Sequence, residues 1–294
     1  MATVAEWVEG ARLRTLPAAV APVLVGTAVA LHLGRADALR AGLAAVVALA
    51  LQVAVNFAND YSDGVRGTDA DRVGPMRLVG SGAAAPGAVK AAAFVCFGLA
   101  ALAGLALVVL TGQWWLVAVG VACILAGWYY TGGSRPYGYA GLGELFVFVF
   151  FGLVATVGTT FVQTLDAPAP AWFGGVATGA LASAILVANN LRDRAGDAGS
   201  GKTTLAVRLG DRGTRLFYLV LVLVGALALV ALAATTTWWA LLGLAGLLVL
   251  VGPVRRVLGG ALGPELIRVL KLTGIAEVLA ALGVLGGVVI GAVA

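Results

Sequence analysis

Charged residues, histidine and cysteine are all scarce in this chain of 294 residues. Asp, Glu, Lys and Arg together supply 11% of the residues, against roughly 25% in an ordinary soluble domain. Cys96 and Cys123 both lie in apolar runs without metal-ligand spacing, so we interpret them as packing residues. The lone His32 lies on the side of the predicted bundle away from the acidic residues and is not a credible base. These absences exclude an ordinary soluble domain.

Apolar residues make up 61% of the chain, and the mean hydropathy is +1.01. Runs of about 17 to 25 apolar residues predict membrane-spanning helices, and their continuous rather than alternating pattern argues against strands. The sequence therefore predicts an all-α, multi-pass membrane protein with about nine transmembrane helices in a single domain over 1–294, with a pseudo-repeat around 1–135 and 136–294 as a further hypothesis. The predicted spans are 16–33, 37–57, 88–110, 113–131, 141–163, 171–189, 215–234, 237–254 and 271–292.

The distribution of positive charge predicts how the chain is oriented in the cell membrane. Of the 19 Lys and Arg residues, all but Arg35 and Arg40 fall on one side of the nine-span arrangement. Cytoplasmic loops carry the excess of Lys and Arg, so we expect the N-terminus and the acidic segments in the cytoplasm and the C-terminus outside. The net charge of +5 would then attract anionic lipid or an anionic substrate rather than nucleic acid.

Acidic residues are concentrated in two segments, each at the end of an apolar run. The first acidic segment, residues 56–82, reads NFANDYSDGVRGTDADRVGPMRLVGSG, and the second, residues 189–210, reads NNLRDRAGDAGSGKTTLAVRLG. If the helices continue, Asn56, Asp60 and Asp63 share one face at i, i+4 and i+7, with Asn59 beside them. Asn189, Asp193 and Asp197 form a similar stripe.

Carboxylates on such stripes repel each other unless a cation lies between them. Mg²⁺ is the natural candidate, because it prefers oxygen ligands and commonly takes one or two carboxylates together with substrate phosphates. The partial negative charge of a helix C-terminus favours a cation further. The plainer alternative is a set of solvated acids paired with nearby arginines.

Three other features have a functional and a plainer interpretation. Gly196, Gly201, Lys202 and Thr203 match a phosphate-loop pattern, but they follow a membrane span without any βαβ unit, so ATP hydrolysis is not predicted. Glu277, within the last span, is interpreted as a helix-packing hydrogen bond more readily than as a site. Four tyrosines at the end of span four and in the loop after it are either interface anchors or cavity residues that stabilise a carbocation: Tyr129, Tyr130, Tyr137 and Tyr139.

The acidic segments resemble the motifs of the UbiA-type intramembrane prenyltransferases. Asn59, Asp60 and Asp63 match the N-D-x-x-D signature of that family, and Arg77, Ser81 and Gly82 match its R-x-x-x-S-G continuation. Asp193 and Asp197 match the second D-x-x-x-D motif, followed by G-K-x-T at Gly201, Lys202 and Thr204. The stretches RLRTLPAA and SRPYGYAGLGEL are most similar to the branch of the family that acts on a naphthoate.

Two departures from the family pattern affect the expected site. The usual third aspartate of the first signature falls at Gly67, with Asp69 or Asp71 nearby as its replacement. The Y-x-x-x-K element of the family runs from Tyr130 to Ser134, so the resemblance makes Arg135 the expected phosphate contact.

The resemblance implies a cavity open to the cytoplasmic side that binds a polyprenyl diphosphate through Mg²⁺, with two ions expected. The implied catalytic and metal-binding residues are Asn59, Asp60, Asp63, Asp193 and Asp197. The implied substrate contacts are Arg12, Asn56, Asn59, Asp69, Arg72, Arg77, Tyr130, Arg135, Asn189 and Lys202, with the basic residues holding diphosphate oxygens.

The activity that the resemblance implies is transfer of the polyprenyl group to 1,4-dihydroxy-2-naphthoate with loss of CO₂, which gives a demethylmenaquinone-type product. Prenylation of 4-hydroxybenzoate or of a haem precursor would use the same residues and stays an alternative. A CDP-alcohol phosphotransferase is less consistent, because Gly67 and Thr68 interrupt its D-x-x-D-G pattern. A transporter would carry its charges near the membrane midplane rather than at helix ends.

Overall fold

All helices and turns in the described part of the chain belong to one helical bundle. The computed structural model describes residues 2–67 and 76–294, and no strand occurs among them. We number the helices in chain order: α1 Val4–Gly10, α2 Pro17–His32, α3 Ala38–Arg66, α4 Pro86–Thr111, α5 Leu116–Tyr129, α6 Gly143–Thr164, α7 Ala169–Gly199, α8 Leu205–Ala234, α9 Trp238–Leu258 and α10 Pro264–Val293.

Each predicted span corresponds to one of the helices α2 to α10, which confirms the all-α, multi-pass prediction. Seven of these helices are long and apolar enough to cross a membrane, and Val4–Thr15 with Pro17–His32, bent by 51°, makes an eighth candidate. The remaining helix, α5, is apolar but only 14 residues long. At 1.5 Å per residue it is shorter than the hydrocarbon core of a bilayer. The predicted span at 113–131 was longer because it included the turns on both sides of this helix.

Two long helices carry the acidic segments past the ends of their apolar runs. Helix α3 continues to Arg66 and ends at Gly67, which has φ 70° and ψ 15°. Glycine adopts this left-handed conformation without the strain that a side chain would add. Helix α7 similarly continues to Gly199. The carboxylates of Asp60, Asp63, Asp193 and Asp197 are therefore held on helical turns, at what we call the charged end of the bundle.

Helix α7 lies at the centre of the bundle, with 78% of its most apolar 18-residue window buried. Its buried positions are mainly Ala, Gly, Ser and Thr, which allow neighbouring helices to approach closely in a membrane. The closest approach is to α6, where a Cβ atom added at Gly152 would lie 2.4 Å from the Gly179 Cα atom. Real carbon atoms do not approach so closely, so this crossing requires glycine.

A π-helical segment in α6 runs from Phe148 to Val154 and contains Gly152. Such segments add a residue to a turn; they are rare, and they occur frequently at functional sites. The segment changes the side-chain register of α6 at the Gly152 crossing. Phe146 and Phe150, on either side of its start, both face the interior of the bundle.

We expect Gly152→Ala to destabilise the bundle, because the added methyl group must push α6 away from α7. The expected loss is about 1–3 kcal/mol, measured as a lower thermal unfolding temperature in detergent by tryptophan fluorescence. Gly98→Ala on α4 is the matched control, since nothing lies within 4 Å of a Cβ atom there and alanine favours a helix. Equal unfolding temperatures for the two variants would contradict this account of the crossing.

Candidate active site

A cavity of about 1090 Å³ extends from the charged end of the bundle into its interior. At the charged end it is lined by polar residues from both acidic segments, among them Asn59, Asp63, Asp193, Asp197 and Lys202. The deeper part is lined by aliphatic residues of α3, α4 and α5 and by the aromatic residues of α6. The cavity therefore combines a charged mouth with an apolar interior.

The two acidic segments meet at Asp63. Its Oδ1 atom lies 3.3 Å from Lys202 Nζ and also accepts a hydrogen bond from the Tyr139 hydroxyl. Its Oδ2 atom lies 3.6 Å from Arg77 Nη2. Asp63 lies in the last turn of α3 and Lys202 follows α7, so this contact joins stretches that are 139 residues apart. The convergence predicted from the sequence is present in the structure.

Arg192 holds the first carboxylate of the second segment. Its Nε and Nη2 atoms donate to the two oxygens of Asp193, both at 2.7 Å, and Nη2 also donates to Asn189 Oδ1 at 2.8 Å. Two parallel N–H···O bonds fix the plane of a carboxylate more firmly than one. Asp193 and Asn189 therefore face the cavity in a defined orientation, and Asp197 lines it one turn nearer the mouth.

Asp60 lies behind the cavity wall rather than in it. Its carboxylate is fully buried and accepts hydrogen bonds from the backbone N–H groups of Leu78 at 2.8 Å and Val79 at 2.9 Å. The cavity face of α3 is formed by Asn56, Asn59 and Asp63 instead. Successive residues of a helix point about 100° apart, and at this turn of α3 Asn59 points into the cavity while Asp60 points away from it. The structure thus separates Asp60 from the other predicted metal ligands.

Two amides on α3 tie down the N-terminal segment. Asn56 Nδ2 donates to the Ala11 carbonyl at 2.9 Å and to Thr15 Oγ1 at 3.0 Å. Gln52 Nε2 donates to the same hydroxyl at 3.0 Å. Between these contacts Arg12 adopts a left-handed conformation with φ 54° and ψ 61°, which is uncommon for a residue with a side chain. The network holds Arg12 at the cavity wall.

The loop after α5 supplies tyrosines to the cavity but not the predicted arginine. Tyr130, Tyr137 and Tyr139 all line the cavity, whereas Arg135 is exposed and lies outside its lining. Burial raises the pKa of the Tyr137 hydroxyl. Tyr129, by contrast, is exposed and does not line the cavity.

Other predicted positions lie elsewhere or outside the described residues. Asp69, Asp71 and Arg72 belong to the stretch that the structure does not describe. Glu277 on α10 is buried away from the cavity. Its carboxylate has no hydrogen-bond partner within residues 2–67 and 76–294, so the expected packing hydrogen bond is not present there.

Several residues that position this site were not candidates from the sequence. Thr131 donates a hydrogen bond to Asn59 Oδ1 at 2.7 Å, and Glu144 accepts one from Asn190 at 2.9 Å. Arg192 lies three residues after Asn189 and directly before Asp193, but the acidic stripes were identified from carboxylates and amides alone, so this arginine was not singled out. The contacts of Thr131 and Glu144 depend on packing between distant helices, so spacing along the sequence carried no signal for them.

The carboxylate and amide oxygens at the cavity mouth fit Mg²⁺ that binds together with a substrate diphosphate. Among the described residues, no three Asp, Glu, His or Cys side chains come close enough to hold a metal ion on their own. Each acidic segment nevertheless brings carboxylate and amide oxygens to the cavity, from Asp63 and Asn59 on one side and from Asp193, Asp197 and Asn189 on the other. Mg²⁺ sites of this kind are completed by water and by phosphate oxygens of the substrate.

Comparison with known sequences identifies close relatives along the whole chain. The profile described as the UbiA prenyltransferase family matches residues 19–260. The chain is 53% identical to the 1,4-dihydroxy-2-naphthoate octaprenyltransferase of Mycobacterium tuberculosis over 298 residues, which cover 99% of each chain. It is 41% identical to the Escherichia coli protein of the same name, over 77% of this chain and 75% of that one.

Solved structures share the architecture at much lower sequence identity. A UbiA homologue from Aeropyrum pernix superposes with a TM-score of 0.69 at 13% identity, covering 97% of this chain and 98% of that one. A UbiA homologue from Archaeoglobus fulgidus, solved bound to DMAPP and Mg²⁺, gives a TM-score of 0.64 at 13% identity, covering 97% and 99%. The profile match, the full-length relatives and the common fold agree, and the chain belongs to the UbiA prenyltransferase family.

Proposed function

We propose that this protein transfers a polyprenyl group from an allylic polyprenyl diphosphate to 1,4-dihydroxy-2-naphthoate. The observation that carries the proposal is the Asp63–Lys202 contact, which brings both acidic segments to the mouth of one long apolar cavity. A diphosphate with a hydrocarbon tail has the same division between charged and apolar parts. The relatives named for this reaction, which align over nearly the full chain, support the choice of acceptor.

The charged residues at the mouth have distinct proposed roles. Asp63, Asp193 and Asp197, with Asn59 and Asn189, would hold Mg²⁺ against the diphosphate. When bound, the metal supplies positive charge that stabilises the departing diphosphate. Lys202, Arg77 and Arg12 line the same cavity and would bind diphosphate oxygens directly. We assign Asp60 a different role from the one the motif implies, as the anchor of the loop that carries Arg77.

The proposed reaction balances without an oxidant. The bond between the allylic carbon and the diphosphate oxygen breaks, and its electron pair leaves with the diphosphate. The ring carbon that bears the carboxylate attacks the allylic cation and forms the new C–C bond. Loss of the carboxylate as CO₂ returns its bonding pair to the ring, which becomes aromatic again. The first product is therefore the reduced, quinol form of demethylmenaquinone.

The apolar interior of the cavity suits the prenyl chain and excludes water from the cation. Its lining includes Leu51 on α3, Gly104 on α4 and Gly120 on α5. Such a surface offers no nucleophile to compete with the aromatic acceptor. Two small residues in this lining leave room between the helices for a long hydrocarbon chain.

The proposed orientation places the cavity mouth in the cytoplasm. The charged end of the bundle carries nearly all of the Lys and Arg residues, whereas Arg35 and Arg40 lie at the opposite end. This asymmetry matches the excess of positive charge in cytoplasmic loops. A cytoplasmic mouth would also give the enzyme access to a water-soluble naphthoate.

Removing a carboxylate at the mouth should abolish most of the activity. With Mg²⁺, a polyprenyl diphosphate and 1,4-dihydroxy-2-naphthoate, we expect Asp63→Ala and Asp193→Ala each to lower kcat/KM by at least about 100-fold, because the leaving group loses charge stabilisation. Asp166→Ala, in an exposed turn at the opposite end, should retain wild-type kinetics. Chelation with EDTA should stop the wild-type reaction, and added Mg²⁺ should restore it. Wild-type rates in both alanine variants would refute the metal assignment.

A panel of acceptors tests the substrate assignment. We expect product from 1,4-dihydroxy-2-naphthoate and at least about 100-fold lower kcat/KM for 4-hydroxybenzoate, because the wrong aromatic acceptor leaves polar groups of the site unpaired. Mass spectrometry of the extracted lipid, with ¹⁴CO₂ release from carboxyl-labelled naphthoate, measures the outcome. Turnover of 4-hydroxybenzoate without turnover of the naphthoate would identify a different acceptor.

A further inference from the structure

The side chains of Asn190 and Glu144 form a buried pair in the cavity wall. Asn190 lies on α7, three residues before Asp193, and is 7% exposed, while Glu144 on α6 is 4% exposed. Asn190 Nδ2 donates to Glu144 Oε1 at 2.9 Å. The Glu144 main-chain carbonyl accepts a hydrogen bond from Ser183 Oγ at 3.1 Å, which fixes the start of α6 against α7. The pair is therefore rigidly placed.

The pair sets the direction of the Asn190 amide. Glu144 Oε1 takes one N–H of this amide, so the amide oxygen cannot point at the same carboxylate. Asn190 lines the cavity, and within the described residues its side chain has no other hydrogen bond. On the opposite wall, the oxygen of the Asn56 amide is already used, because it accepts a hydrogen bond from Gln52 Nε2 at 3.4 Å. Asn190 thus presents a hydrogen-bond acceptor to the cavity that the protein itself does not use.

The depth of Asn190 distinguishes among the substrate groups that it could meet. At 1.5 Å per residue it lies about 4.5 Å deeper than Asp193 along α7, level with the inner edge of the residues assigned to Mg²⁺ and the diphosphate, where Asn189 is its neighbour in the chain. The allylic carbon of a bound donor would lie just inside that level, where the ring must approach it. The prenyl chain has no hydrogen-bond donor, whereas a dihydroxynaphthoate has two hydroxyl groups. An oriented amide oxygen at this depth is matched by the acceptor and not by the prenyl chain.

Aromatic side chains border the same part of the cavity. Tyr130 and Tyr137 contact each other edge to face at 5.5 Å between ring centroids, and Tyr137 stacks on Phe146 at 3.9 Å. All three line the cavity. Tyr130 also packs over the backbone at Gly143, next to Glu144. A planar bicyclic ring would find stacking surface there next to the Asn190 amide.

We propose that Asn190 binds a ring hydroxyl of the aromatic acceptor through its amide oxygen, and that Glu144 is a positioning residue that orients this amide. The inference rests on the proposed function, since it names the acceptor contact of that same site. Accepting a hydrogen bond from the hydroxyl pushes electron density into the ring, which favours attack on the allylic cation. The contact would also select acceptors that carry a hydroxyl group at the matching ring position.

Steady-state kinetics of the purified enzyme with Mg²⁺ test the inference by separating the two substrates. We expect Asn190→Leu to raise KM for 1,4-dihydroxy-2-naphthoate about tenfold, the effect of one lost hydrogen bond, and to leave KM for the polyprenyl diphosphate within about twofold. Glu144→Ala should shift the naphthoate KM in the same direction. Glu144→Gln should restore it, because the glutamine amide oxygen still accepts from Asn190. Gln163 is a buried amide on α6, the helix that also carries Glu144, and it lies outside the cavity. Gln163→Leu should therefore change neither KM.

A comparison of inhibitors on the wild-type enzyme covers the case in which Asn190→Leu does not fold. We expect 1-hydroxy-2-naphthoate or 4-hydroxy-2-naphthoate, each lacking one hydroxyl, to compete with the substrate, one of them about tenfold more weakly than the other. Glu144→Ala should reduce that difference. Equal changes in the two KM values, or an unchanged naphthoate KM in Asn190→Leu, would overturn the inference, as would equal inhibition by both compounds. Failure of the wild-type enzyme to prenylate the naphthoate would instead refute the proposed function.

Discussion

The ion pair between Asp63 and Lys202 is the contact on which the site depends. Both side chains are largely buried, at 7% and 12% exposure, and lie 3.3 Å apart. A charged side chain away from water is costly unless an opposite charge accompanies it. Each segment also pairs a carboxylate within itself, Asp63 with Arg77 and Asp193 with Arg192. The contact between the two segments places their carboxylates and basic groups at the mouth of one cavity.

The remainder of the bundle keeps this mouth attached to an apolar interior. Glycine at the crossing of α6 and α7 allows the two backbones to approach closely, and the π-helical segment of α6 includes that crossing. The same two helices carry Glu144 and Asn190, so the close packing that stabilises the bundle also fixes the proposed acceptor contact. Packing and chemistry are therefore coupled at the centre of the protein.

Several site residues show how far spacing along a helix can predict which side chains face the cavity. The spacing identified Asp63, Asp193 and Asp197 correctly as residues of one cavity, since carboxylates four residues apart share a helix face. It also grouped Asp60 with them, although that carboxylate binds the backbone of the following loop. A rotation of one residue moves a side chain by about 100°, and two adjacent polar residues leave the choice of face open. Arg135, which the resemblance made the expected phosphate contact, is exposed and lies outside the cavity lining; it stands in an irregular loop, where no helical spacing relates side-chain direction to position in the chain.

The sequence by itself determined the helical class, the positions of the spans and the two segments that carry the charge. It could do so because lipid requires each span to satisfy its own backbone and to present apolar side chains over a fixed length. Only the tertiary structure decided which polar groups share the cavity: Lys202 with Asp63, Thr131 with Asn59 and Glu144 with Asn190. Each of these contacts joins residues at least 46 positions apart, and their meeting depends on how the helices rotate and cross.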